Sequence, residues 1–329
     1  MKNKWFFVTL EPYFMQVPFE LKPIIKEWEF VVILFYKYVE IADPELFLDE
    51  HRKLCESLNI KGRFIVAREG LNGICEGTPE AINTYVQELT KDPRFNNIHI
   101  KYSKGTGTSF PKLKIRARSE IVSLGLGEDD VDPNKLTGTH LKPEELHLWF
   151  ENKEEFVIID MRNDYEHEVG HFPNSVLPPL KNFRDLPKII SEIDHLKDQK
   201  VLTVCTGGVR CEKASGYLMK KGFKDVYQLD GGMVSYMEQY PAQNFLGSMY
   251  TFDGRNVIDY DGGNHPVIGK CKKCGAPTEQ YIDCKNESCH GQYLICADCL
   301  AKNGKMYCED RCYAHLPWYK RIFKKKKDC

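Results

Sequence analysis

Val201-Leu202-Thr203-Val204-Cys205-Thr206-Gly207-Gly208-Val209-Arg210-Cys211-Glu212-Lys213-Ala214 is the stretch on which the reading of this chain turns. Four apolar or β-branched residues predict a short buried strand. A cysteine, a tight Gly-Gly loop, an arginine and a helical segment from Glu212 to Lys221 follow. Backbone N–H groups in such a loop point inward, and with the helix N-terminus and Arg210 they favour an anion. A thiol held there loses its proton more readily than a free one. The stretch therefore predicts a nucleophilic thiolate and covalent sulfur chemistry. A buried structural cysteine before a turn is the plainer alternative.

Four residues separate Cys205 from Arg210. Cysteine-dependent phosphatases resemble this loop but place five residues between, which makes a wider cradle. The shorter loop resembles that of the rhodanese family, whose cysteine carries a persulfide sulfur. On that resemblance Cys205 and Arg210 are the catalytic pair, and Thr206, Gly207, Gly208, Val209 and Cys211 complete the active-site loop. Cys211 is either a resolving thiol or a packed residue at the helix start.

At 329 residues, 42% of them hydrophobic, the chain has material for two or three domains. The net charge of −1 means that any nucleic-acid footprint is local. No run of eighteen apolar residues occurs, and the early Trp5-Phe6-Phe7-Val8-Thr9-Leu10 lacks a small-residue cleavage site. A cytoplasmic protein without membrane contact is expected. Residues 1–29 form an extension of unassigned role.

From residue 30 the pattern is βαββαβ. Val31 to Ile41 reads as a strand, and Asp43-Pro44 opens a helix to about Leu58. Gly62 to Ala67 and Gly70 to Glu76 read as two strands. Thr78-Pro79 caps a helix to about Leu89, and Asn97 to Tyr102 is a further strand. This order predicts a ferredoxin-like (acylphosphatase-like) α+β domain over 30–124. Within it, Lys101, Lys104, Lys112, Lys114, Arg116 and Arg118 form a strip without acids, interleaved with Tyr102 and Phe110. Such a strip suits RNA phosphates; it equally suits a strand edge defended by lysines.

Gly125, Gly127, Pro133 and Gly138 mark residues 125–140 as a linker. A helix from Pro143 and strands at Phe156–Asp160, Val201–Val204 and Asp225–Leu229 then predict a parallel-sheet α/β domain over 141–245. Cys205 falls at the carboxyl end of a strand, where open α/β sheets place ligands. Asp160-Met161-Arg162-Asn163-Asp164-Tyr165-Glu166 with Gly170-His171-Phe172-Pro173, and Tyr227-Gln228-Leu229-Asp230-Gly231-Gly232-Met233, resemble two further rhodanese signatures. The first implies structural roles, with Arg162 paired to Glu166 and His171 bonded to the loop that follows it.

Glu69-Gly70-Leu71-Asn72-Gly73, Leu113-Lys114-Ile115-Arg116 with Glu120-Ile121-Val122-Ser123-Leu124-Gly125, and the cysteine loop together are similar to the bacterial rhodanese-like tRNA uridine hydroxylases. The resemblance spans about residues 31–315. It implies a ferredoxin-like domain, a rhodanese-like domain and a cysteine-rich segment in that order. It also implies oxygen-dependent conversion of the wobble uridine to 5-hydroxyuridine, with the tRNA anticodon loop as partner and molecular oxygen as co-substrate. No nucleotide-cofactor motif is evident.

Residues 246–329 are cysteine-rich. Cys271-x2-Cys274, Cys284-x4-Cys289, Cys296-x2-Cys299 and Cys308-x3-Cys312 supply eight thiolates, the number for two structural zinc ions. Cross-brace and sequential pairing both fit the spacing, and His265, His290 or His315 could replace a cysteine. Reduced thiols or an iron–sulfur cluster are the alternatives to zinc. The tail, Lys320 to Lys327, holds six basic residues in eight, with Lys324 and Lys325 as RNA-backbone candidates.

Three functions compete. In the first, Cys205 modifies a tRNA base, by addition to uridine C6 or through a persulfide or peroxide on its sulfur. In the second, the chain is a sulfurtransferase. In the third, it is a tRNA-binding scaffold with an idle loop. The basic strip and the cysteine-rich end favour a macromolecular substrate over a small sulfur donor.

Overall fold

The structure is a computed structural model, and it describes residues 25, 27–241, 243–286, 289, 291–308 and 312. Most of the 1–29 extension and the basic tail with Lys324 and Lys325 lie outside these residues, as do His290 and His315.

The first unit consists of β1 (Val31–Tyr38), α1 (Pro44–Ser57), β2 (Lys61–Ala67), β3 (Gly70–Gly77), α2 (Pro79–Thr90), β4 (Ile100–Lys104) and β5 (Leu113–Ala117). Asp43 caps α1 by accepting from the Leu46 N–H, and Thr78 caps α2 through the Ala81 N–H. A proline follows each cap, where its missing N–H does no harm. The sheet order is β4-β1-β3-β2-β5, with β5 parallel to β2. The fifth strand goes beyond the six-element pattern. It is an edge strand in which Lys114 and Arg116 are exposed on either side of buried Ile115. The fourth strand starts at Ile100 rather than Asn97, because residues 92–98 turn back to bury Phe95 against α1 and α2.

Alternation along β1 divides the sheet. Val31, Ile33 and Phe35 join the core beneath the helices. Val32, Leu34 and Tyr36 point to the opposite face, which is covered by the second unit. Gly73 has to be glycine: a Cβ there would stand 2.7 Å from the Phe64 ring and 2.8 Å from that of Phe35.

The second unit runs β6 (Thr139–Leu141), α3 (Pro143–Glu151), β7 (Val157–Asp160), α4 (Asp164–His167), β8 (Gly170–His171), α5 (Leu186–Ile189), β9 (Lys200–Val204), α6 (Val209–Lys220), β10 (Asp225–Leu229) and α7 (Gly232–Gln239). Its four-stranded sheet is parallel in the order β6-β10-β9-β7. β9 is the strand expected before Cys205, but α6 begins at Val209, inside the loop, because Gly208 takes a left-handed φ of +100° and serves as its N-cap.

The segment that reads as a linker is packed. Val131 is buried in the second core, as is Leu124 just before the segment, and Leu126 packs against it. Lys213, with no side-chain exposure, reaches Glu69 (2.8 Å), Glu120 (2.9 Å) and Asp130 (2.6 Å). Asn72 donates to the Ile121 carbonyl, and Glu69 accepts from the Ile121 N–H. The Glu69–Gly73 and Glu120–Gly125 motifs thus clip the two units together. The cysteine-rich part adds short hairpins and a last helix, α8 (Ala297–Asn303). Among the described residues no helix is long and apolar enough to cross a membrane.

Candidate active site and metal centres

Cys205 follows β9 and has no solvent exposure. The Gly208 N–H donates to its Sγ at 3.2 Å. The thiol's pKa is lowered from 9.0 to about 6. Burial alone would raise it; a hydrogen bond from the Cys211 thiol, the Arg210 charge and the N–H groups of Cys211 and Arg210 outweigh burial. The two sulfurs titrate as a pair: Cys205 ionises first, and burial together with the resulting charge pushes Cys211 well above the thiol range. Cys211 is fully buried and acts here as a donor to Cys205.

Arg210 is held by a carboxylate. Its guanidinium bonds Glu166 at 2.5 and 2.8 Å, and Thr206 Oγ1 lies 3.3 Å from both groups. This corrects the pairing expected for Glu166. The partner of Arg162 is Asp160, at 2.7 Å and fully buried. Arg162 precedes α4 and is turned inward, whereas Glu166 on α4 faces the cysteine loop. His171 Nδ1 lies 2.9 Å from the Phe172 carbonyl, a bond to the adjoining residue.

The Gly231-Gly232 signature supports the loop from behind. The Met233 and Val234 N–H groups donate to the carbonyls of Cys205 (2.9 Å) and Thr206 (3.1 Å). A Cβ on Gly232 would sit 2.6 Å from the Gly208 nitrogen and 2.7 Å from the Cys205 oxygen. No side chain fits between these two turns.

A cavity of about 400 Å³ opens over Cys205, between the loop and the sheet face of the first unit. Leu34, Tyr36, Ile74, Lys101, Val234 and Phe252 are among its walls. A volume of this size suits one small organic group in a largely apolar setting with a few polar contacts. The Tyr36 hydroxyl donates to Glu212 at 3.0 Å, tying the sheet to α6. Sequence patterns gave no sign of the roles of Tyr36 and Glu212, and they assigned Glu166 to Arg162 rather than to Arg210. The available signal was that β1 is apolar on both faces, which means that both are covered.

The basic strip divides. Lys104, Lys112, Lys114, Arg116 and Arg118 are exposed. Arg116 first, then slight desolvation, Arg63, Lys112 and Arg118 lower the pKa of Lys114, as expected of clustered like charges. Lys114, Arg116 and Arg63 line a groove of about 1410 Å³ that continues to Lys270 and Lys272. Lys101 does not belong to this surface. It is 4% exposed and donates to the Gly207 carbonyl at 3.0 Å. Strand alternation turns it inward beside Leu34, its register partner. Phe110 is buried as well.

The cysteines gather as Cys271, Cys274, Cys296 and Cys299, and as Cys284, Cys289, Cys308 and Cys312, each set with its sulfurs within 4.8 Å. The first pair joins the third and the second joins the fourth, which is the cross-brace. Sulfur separations of 3.7 Å (Cys274–Cys296), 3.4 Å (Cys289–Cys308) and 3.3 Å (Cys308–Cys312) approach the roughly 3.8 Å edge of a tetrahedral zinc–thiolate site. Both sets fit a metal ion.

A thiol of lowered pKa on a six-residue loop at the end of a parallel sheet, roofed by a ferredoxin-like sheet, defines a rhodanese-type domain carried within a larger protein. Family models agree: residues 30–121 match the UPF0176 acylphosphatase like domain, 142–239 the Rhodanese-like domain and 246–313 the Rhodanase C-terminal. The protein named tRNA uridine(34) hydroxylase from Cytophaga hutchinsonii is 40% identical over 287 residues, covering 87% of this chain and 91% of that protein. Those of Bacillus licheniformis (42% over 293 residues, 87% and 89% covered) and Onion yellows phytoplasma (43% over 293 residues, 87% and 93% covered) carry the same name. The chain belongs to the tRNA uridine(34) hydroxylase family.

Proposed function

We propose that this protein hydroxylates the wobble uridine of tRNA at C5, with Cys205 as the reacting group and molecular oxygen as co-substrate. One observation carries the site assignment: a depressed-pKa thiol closes a 400 Å³ pocket between two domains, next to an open basic groove. An anticodon-loop base is unstacked at little expense, and Tyr36 and Phe252 offer it aromatic surface. The thiolate suits addition to uracil C6. The S–C6 bond forms as the C5=C6 π bond opens, and the electron pair moves onto C5 and O4, which makes C5 reactive toward oxygen; an external two-electron donor with two protons takes the second oxygen atom to water, and loss of the C5 proton then expels the Cys205 thiolate and restores the C5=C6 bond. Arg210 orients the loop and favours the sulfur anion.

Lys104, Lys112, Lys114, Arg116 and Arg118 are the proposed phosphate contacts, and Lys324 and Lys325 extend that role to the tail. Two zinc ions on the paired cysteine sets would be structural, since four thiolates leave no open position. Such a protein works where tRNA is, in the cytoplasm.

The test is mass spectrometry of tRNA nucleosides from cells lacking the protein, complemented with wild type or Cys205→Ser. Loss of 5-hydroxyuridine derivatives, restored by wild type alone, is expected. Their persistence in cells with no parallel route would overturn the hydroxylase reading. Rescue by Cys205→Ser would remove the nucleophile.

A further inference from the structure

Two anions meet one cation at the cysteine loop. Glu166 has no side-chain exposure and holds Arg210 through two hydrogen bonds, so most of the Arg210 charge is already balanced. Adding a Cys205 thiolate gives the trio a net charge of −1 on three buried side chains, where an unbalanced charge is strongly disfavoured. A further cation is needed; Arg184, the other cation that the rhodanese-type domain places on this cavity, is exposed to solvent.

Lys101 of β4, in the other domain, does. It is 4% exposed, and among the described residues it forms no ion pair. Its Nζ donates to the Gly207 carbonyl at 3.0 Å and lies 5.5 Å from the centre of the Tyr36 ring. Lys101 and Cys205 share the walls of one cavity. A buried lysine with no carboxylate in ion-pair contact is unfavourable unless nearby anions use its charge, and Cys205 comes first among these, ahead of Glu238, Asp230 and Glu212.

We propose that Lys101 is the positioning cation of the cysteine loop: it fixes the Gly207 carbonyl and balances the sulfur anion of Cys205, the task that Arg210, bound to Glu166, performs only in part. The rhodanese-type site is then completed by a residue of the ferredoxin-like domain. Its electrostatic surroundings are consistent with this. Burial lowers the Lys101 pKa to about 8, and Cys205, Glu238, Asp230 and Glu212 oppose that shift, so the amine is still largely protonated at neutral pH. His99 and Tyr36 are the other titratable groups against it. The proposal rests on Cys205 being the reacting thiol; it does not depend on which RNA is the substrate.

The first assay is RNA-free alkylation of Cys205 by iodoacetamide across pH, read on the Cys205 peptide by mass spectrometry. Lys101→Met should raise the midpoint by about one pH unit or more, roughly tenfold slower alkylation on the rising limb. Lys101→Arg should stay near wild type. A folded Lys101→Met protein with an unchanged midpoint overturns the proposal.

A second assay needs no substitution. The wild-type thiol is capped with either iodoacetate or iodoacetamide, two groups of nearly equal size that differ in charge. The Lys101 amine is then titrated by pulsed acetylation. The carboxymethyl form should give the higher Lys101 midpoint; equal midpoints overturn the proposal. Neither assay contains RNA, so a failed nucleoside experiment beside intact Lys101–Cys205 coupling would strike the hydroxylase reading alone.

Discussion

Replacing Glu166 with leucine should destabilise the rhodanese-type domain severely, and replacing Arg210 with methionine in the same chain should reverse most of the damage. Glu166 is fully buried, and the Arg210 side chain is 7% exposed. Removing the carboxylate leaves the buried guanidinium, among the described residues, with only the Cys205 sulfur and the Thr206 hydroxyl as polar partners, which costs up to about 3–5 kcal/mol. The Asn163 N–H and the Thr206 hydroxyl lose their acceptor too, each worth about 1 kcal/mol. In a domain of roughly 100 residues this lowers the unfolding midpoint by at least about 10 °C. With Arg210→Met added, the charge is gone, and all but about 1–2 kcal/mol should return. Thermal unfolding of wild type, both single variants and the double, followed by near-UV circular dichroism, closes the cycle. A Glu166→Leu loss below about 1 kcal/mol, or a double variant no better than the single, would refute the buried-pair argument. A stable double variant with a sluggish Cys205 would show that the pair serves the loop's chemistry rather than the fold's stability.

Three further outcomes follow from the site. Because the folded pKa of Cys205 is lowered to about 6, its thiolate persists above that pH and is lost below it, so alkylation should be half-maximal near pH 6; a free thiol reaches half-maximum only at about 8.5. Lower basicity also weakens the nucleophile, so the advantage over free cysteine should be about tenfold at pH 6 and only a few-fold at pH 7; a midpoint near that of free cysteine refutes the stabilised thiolate. Mercurial titration of the purified protein should release about two zinc ions per chain, and the double variant Cys271→Ser, Cys296→Ser should lose one ion and keep the other; loss of both ions from that double variant would contradict the cross-brace. Charge reversal at Lys112, Lys114 and Arg116 together should weaken tRNA binding and reduce the log–log salt slope by about 2–3; an unchanged slope removes the strip from the RNA interface.

Local sequence carried much of this fold. Asp43-Pro44 and Thr78-Pro79 fixed two helix starts because capping is an affair of adjacent residues. Where the reading slipped, a distant contact was responsible. Gly208 starts α6 three residues earlier than the helical pattern indicates, since its left-handed turn serves a loop packed against Tyr36. Lys101 looked like one more lysine of a basic strip; its direction depends on the pairing of β4 with β1 and on what covers that face.

The sequence by itself determined that a thiol sits at a strand end on a loop closed by an arginine, that eight cysteines come in four pairs, and that three regions follow in order. These are matters of spacing along the chain, which strand and turn geometry convert directly into position. Only the tertiary structure decided that Arg210 belongs to Glu166, 44 residues away, that Lys101 reaches Gly207 across 106, and that the cysteine pairs interleave. Those choices arise where separate elements pack, and there burial, charge balance and register select one partner from several that the spacing permits.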